Sequence, residues 1–140
     1  MLLTGEYYPT IDANGRLAFP SKLREYLGEH FYITWTKNSY LVVYSEEELN
    51  GIAEKIKMMP VNETMDTRRM IFTNAINVEP DKQGRVVIPL GLRELAEIKD
   101  EVAIVGNMDR AEIWPKEVWL KEKAKQNAPG KDSTFEELRI

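Results

Sequence analysis

One sixteen-residue stretch occurs twice in this chain, so any fold it adopts must build the same local unit twice. Aligned without gaps, residues 12–27 and 81–96 are identical at seven positions: Asp12/Asp81, Gly15/Gly84, Arg16/Arg85, Pro20/Pro89, Leu23/Leu92, Arg24/Arg93 and Glu25/Glu94. Unrelated segments would share roughly one such position at ordinary residue frequencies. Other pairs keep their character, among them Leu17/Val86 and Phe19/Ile88. At an offset of 70, Val43-Tyr44-Ser45 continues the match with Ile113-Trp114-Pro115. A single structural unit used twice accounts for this.

The unit reads as strand–turn–strand, short helix, strand–turn–strand. Residues 6–11 and 75–80 have the composition of short strands. Asp12-Ala13-Asn14-Gly15 and Asp81-Lys82-Gln83-Gly84 are turn chemistry: Asp bonds back to nearby backbone N–H groups, and Gly supplies a positive φ. Residues 16–19 and 85–88 read as return strands, ended by Pro20 and Pro89, which suit the first turn of a helix. Leu23 and Leu27, or Leu92 and Leu95, should face inward from that helix. A second strand pair follows in each unit, 31–36 with 40–44 and 102–105 with 111–114. Ser45-Glu46-Glu47-Glu48 is a capping-box pattern. Leu49, Ile52, Ile56 and Met59 then recur at helical spacing until Pro60. A second helix is expected over about 63–73 and a third from 115 or 116 to about 125, before a loose stretch at 126–131. The fold class is mainly β with short helices, α+β. Residues 5–47 form unit one, 48–75 a helical connector, 76–119 unit two, and 120–140 the helix end and tail.

Composition narrows the function classes. The chain has no cysteine and one histidine, His30, which removes disulfides, thiolate metal sites and two-histidine chemistry. No run of apolar residues approaches the ~18 needed to span a bilayer, and the N-terminus lacks a signal-peptide pattern, so a cytoplasmic location is expected, nucleoid-associated if the chain binds DNA. There is no Ser–His–Asp arrangement, no phosphate-cradling glycine loop and no metal-ligand spacing. The expectation is no enzyme, no cofactor, no metal and no small-molecule substrate. The formal net charge of −4 runs against a simple nucleic-acid binder. Its distribution does not: residues 12–24 and 81–93 each carry a net +2, whereas 94–101 carry −3 and 45–57 carry −2. What matters for steering is where charge sits.

Two Asp-x-x-Gly-Arg loops, each followed by an aromatic or branched residue, a Pro and a Leu-Arg pair, resemble the MraZ family over nearly the whole chain. Residues 81–89 closely resemble its second motif, and Ile104-Val105-Gly106 and Glu112-Ile113-Trp114 also resemble its second unit. The resemblance implies tandem SpoVT/AbrB-like units forming a swapped-hairpin β-barrel with peripheral helices. It implies a ring-shaped homo-oligomer, and binding to repeated elements of double-stranded DNA upstream of the division and cell-wall gene cluster, including its own promoter, usually as a repressor. It implies no catalytic activity.

Arg directly after a rigid turn can bond two acceptors at once, either phosphate oxygens or guanine O6 and N7. Arg16 and Arg85 are the candidate DNA contacts, with Lys22, Arg24, Lys82 and Arg93 supporting them mainly at phosphates. Asp12, Gly15, Asp81 and Gly84 should build the turns, since a carboxylate facing phosphate is repelled. Structural alternatives stand beside these roles. Arg16 and Arg85 could pair with their own Asp12 and Asp81, and Arg24 and Arg93 could form salt bridges between units. Tyr44, Trp114 and Trp119 fit core or subunit interface better than base stacking. Other functions are an antitoxin-like regulator, which normally carries one unit per chain, and a ring that binds protein rather than nucleic acid.

Overall fold

A computed structural model describes residues 1–130 and 132–140. Eight strands and six helices are present among them. The first half runs β1 (Glu6–Tyr7), β2 (Arg16–Ala18), α1 (Ser21–Leu27), β3 (Phe31–Trp35), β4 (Leu41–Tyr44), α2 (Glu46–Lys57) and α3 (Val61–Asn74). The second runs β5 (Ile76–Val78), β6 (Arg85–Val87), α4 (Leu90–Leu95), β7 (Val102–Asn107), β8 (Arg110–Pro115), α5 (Lys116–Gln126) and α6 (Ser133–Leu138).

Six strands form an antiparallel sheet in the order β1-β7-β8-β4-β3-β5, and β2 pairs antiparallel with β6 in a separate two-stranded ribbon. The sheet order is symmetric about the β8–β4 junction. Its two ends are exchanged: β1 from the first repeat pairs with β7 of the second, and β5 from the second pairs with β3 of the first. The fold is α+β, but no closed barrel is found among the described residues. Between the ribbon and its flanking strands only isolated bridges form, such as Ile11 with Leu17 and Thr10 with Glu101, so the hydrogen-bond ladder does not run continuously around the core.

Apart from the buried Thr34, strands β3 and β4 lack the usual polar alternation because both faces of the sheet are covered. One face packs Phe31, Ile33, Leu41, Val43, Ile104 and Ile113 under the ribbon and helices α1 and α4. The other face carries two smaller clusters. Val42 and Tyr44 meet Leu49 of α2 and Ile71 of α3, and Ala103, Val105 and Trp114 meet Trp119 of α5. Tyr44, Trp114 and Trp119 are therefore core residues. Tyr40 stacks on Trp114 with ring centroids 4.4 Å apart. The buried Glu112 carboxylate accepts from Arg110 at 2.6 Å and from the Trp114 indole at 3.0 Å.

Local signals set the helix ends. The Ser45 hydroxyl accepts from the Glu48 backbone N–H at 3.1 Å, as a capping residue should. Pro20, Pro60, Pro89 and Pro115 stand at N-cap positions, one residue earlier than the first-turn placement expected for Pro20 and Pro89. Helix α3 begins at Val61, ahead of the expected 63. Two further expectations fail for physical reasons. Leu95 is exposed, and its place inside is taken by Ala96, the true counterpart of Leu27, together with Ile98. Met59 is exposed because α2 has ended before it. Past the loose stretch, whose last residue, Lys131, lies outside the described residues, α6 forms with the Asp132 side chain capping its N-terminus. No described helix is long and apolar enough to cross a membrane.

Candidate nucleic-acid interface

Both motif turns are built the same way. One oxygen of Asp12, Oδ1, accepts the backbone N–H groups of Asn14 and Arg16, each at 2.9 Å, and Oδ2 accepts Arg16 Nε at 3.0 Å. Asp81 repeats the arrangement with Gln83 N and Arg85 N, each at 2.9 Å, and Arg85 Nε at 3.1 Å. Gly15 N and Gly84 N close the turns onto the Asp12 and Asp81 carbonyls. Asp12 and Asp81 thus hold the turns, and each motif Arg does pair with its own Asp. That pairing uses only Nε. It orients the guanidinium and leaves Nη1 and Nη2 without partners among the described residues.

The backbone N–H of Arg16 donating to Asp12, with its guanidinium beside it, holds that carboxyl below the usual carboxylate range. Arg85 does the same to Asp81, again chiefly through its backbone N–H. A depressed folded pKa stabilises the turn fully above the unfolded value near 3.9, and that contribution is lost as pH falls through the folded value. Carboxyl titration by NMR should therefore give midpoints for Asp12 and Asp81 below about 3.9, with both turns unchanged between pH 5 and 8. A midpoint above that value for either residue contradicts the turn geometry.

The two turns are joined by the β2–β6 ribbon. Its register sets Arg16 opposite Val87, Leu17 opposite Val86 and Ala18 opposite Arg85. Two further bonds extend it, Phe19 N to Gly84 O at 2.9 Å and Ile88 N to Gly15 O at 2.8 Å. The burial pattern is the same in both repeats: Leu17, Phe19, Val86 and Ile88 face the core, and Arg16, Ala18, Arg85 and Val87 face out. Alternation along a strand imposes this. Arg16 and Arg85 become diagonal neighbours on one outer face, about 7–8 Å apart at the backbone.

The expected local hairpin is not what forms. Strand β2 meets its own upstream segment only at the Ile11–Leu17 bridge and the Asp12 N to Arg16 O bond, and takes its main partner from the other repeat. Arg24 and Arg93 reinforce that exchange. Neither pairs with a carboxylate among the described residues, so the inter-unit salt bridges that stood as their alternative role do not form there. Arg24 Nε donates to Phe19 O at 3.2 Å and Arg93 Nε to Ile88 O at 2.9 Å. Their guanidinium groups lie against the glycine of the opposite turn, Arg24 on Gly84 and Arg93 on Gly15. Lys22 and Lys82 are exposed. The sequence does not single out Ala18 and Val87, because their neighbourhood with the arginines exists only once the partner strand and register are known.

The family model "MraZ protein, putative antitoxin-like" matches residues 2–69 and again 71–137, one match for each copy of the Asp-x-x-Gly-Arg turn. The chain belongs to the MraZ family. Relatives named "Transcriptional regulator MraZ" include one from Caldicellulosiruptor bescii, 44% identical over 128 residues that cover 90% of both chains. Another, from Thermoanaerobacter sp. (strain X514), is 44% identical over 140 residues covering 98% of this chain and 94% of the relative. A third, from Caldanaerobacter subterraneus, is 41% identical over the same shares. The double match places one copy of the family pattern in each half of this MraZ-family chain.

Proposed function

We propose that this chain is a sequence-specific DNA-binding transcriptional regulator that docks the outer face of the β2–β6 ribbon in the major groove. The observation that carries this reading is the pairing of Arg16 and Arg85 on one exposed ribbon face, each aimed by an Asp and each with terminal nitrogens that have no partner among the described residues. A two-stranded ribbon fits the major groove of B-DNA, and Arg is the side chain best suited to guanine O6 and N7. The transcriptional-regulator names of the relatives support the same reading. Lys22 and Lys82 contact phosphates beside the groove. Arg24 and Arg93 act mainly by bracing the opposite turn.

The remaining parts rest on the family. They are repression of a division and cell-wall gene cluster that includes its own promoter, exchanged tandem units, and a homo-oligomeric ring that presents many ribbons to repeated elements. Multiple copies suit an acidic chain, because weak contacts combine through effective concentration. The test is binding to the duplex upstream of this chain's own gene, with its repeats intact or scrambled, at about 50 and 200 mM salt. Intact DNA should bind more tightly, and affinity should fall steeply with salt. A ring that binds protein instead predicts no preference for the intact repeats, and that outcome rejects the reading.

A further inference from the structure

The outer ribbon face holds four side chains, and only two of them are charged. Val87 lies directly opposite Arg16, and Ala18 lies directly opposite Arg85. Val87 is 51% exposed, a β-branched apolar group opposite Arg16 and two residues along its own strand from Arg85. Among the described residues it is left half exposed, while its neighbours Val86 and Ile88 are buried. Each cross-strand row thus pairs one fork of hydrogen-bond donors with one apolar group.

We infer that Val87, and more weakly Ala18, are specificity-determining residues that contact the C5-methyl groups of thymine. In the major groove only thymine, of the four unmodified bases, presents a methyl group, and apolar side chains recognise it. A row of Arg plus apolar residue therefore matches a guanine with a thymine beside it. The antiparallel ribbon presents two such rows in opposite senses. They are unequal: Val87 offers a larger apolar surface than Ala18, so the Arg16–Val87 row discriminates thymine more strictly. This inference rests on the DNA-binding reading above.

The test compares the duplex upstream of this chain's own gene with the same duplex carrying deoxyuridine at every thymine, which removes the methyl groups and leaves the hydrogen-bonding edges intact. The full chain is used in both titrations. Wild type should lose about fourfold in affinity on the deoxyuridine duplex for each methyl contacted. Val87→Ser should bind the thymine duplex more weakly than wild type and should lose most of the difference between the two duplexes. Val87 is exposed, so the variant should keep the wild-type melting temperature, and the wild-type comparison needs no variant. Equal wild-type affinity for both duplexes overturns this inference alone, as does a Val87→Ser protein that keeps the full difference. Absence of binding to either duplex overturns the DNA-binding reading and this inference with it.

Discussion

Replacing Arg16 and Arg85 together by alanine is expected to weaken binding to promoter DNA by about 2–6 kcal/mol per chain, since each bidentate base contact contributes about 1–3 kcal/mol. The fold should survive. Each Arg is joined to its Asp through a single Nε contact of 3.0 or 3.1 Å at an exposed site, and such surface pairs contribute little. The backbone N–H bonds to Asp12 and Asp81 do not depend on the Arg side chain. The two effects are therefore separable: binding should collapse while the thermal midpoint stays near wild type. Replacing both with lysine makes a sharper comparison. Lysine keeps the charge but lacks the planar fork, so non-specific binding should persist and preference for intact repeats should fall. A gel shift in which the double alanine variant binds like wild type would remove both arginines from the interface.

The second large effect concerns the two motif glycines, which are equivalent in sequence and unequal in surroundings. Gly15 has φ +85°, and a Cβ there would overlap the Ile88 carbonyl oxygen, a backbone atom. That carbonyl accepts Arg93 Nε, and the Ile88 N–H donates back to Gly15 O. Gly15→Ala must then meet a left-handed backbone cost of about 1–2 kcal/mol and an overpacking cost of about 1–3 kcal/mol, for about 2–5 kcal/mol in all. Gly84, at φ +79°, faces a softer obstacle, because its Cβ would lie 2.8 Å from Arg24 Nη2, the end of a flexible side chain. Gly84→Ala should incur mainly the backbone cost. Urea denaturation should rank Gly15→Ala as clearly the more destabilising, and Arg24→Ala should relieve part of the Gly84→Ala penalty. Equal losses for the two glycines would contradict the asymmetry between a backbone wall and a movable one.

Much of the site was legible in the chain itself. Asp, Gly and Arg at fixed offsets define a self-contained turn, because the Asp side chain reaches N–H groups only two and four residues ahead. Short-range bonds of this kind need no knowledge of the rest of the fold. The Ser45 cap and the proline boundaries were readable for the same reason. The partial misreadings have a common origin in tertiary packing. Leu95 looked inward by helical spacing, yet α4 ends at Leu95 and turns its next residues, Ala96 and Ile98, into the core.

The partner of each ribbon strand could not be read in this way. Both copies carry the same alternation, and a strand's backbone donors and acceptors do not name the strand they will meet. A local hairpin and an exchanged ribbon satisfy the one-dimensional pattern equally well. The tertiary structure decided between them by burying Leu17 and Val86 together and by sending Arg24 and Arg93 across to the opposite glycines. The repeated sequence by itself determined two rigid turns, each presenting an Arg. Only packing between the repeats put those two arginines on one face, with Ala18 and Val87 beside them, because strand pairing over 69 residues is settled by the shared core and not by local preference.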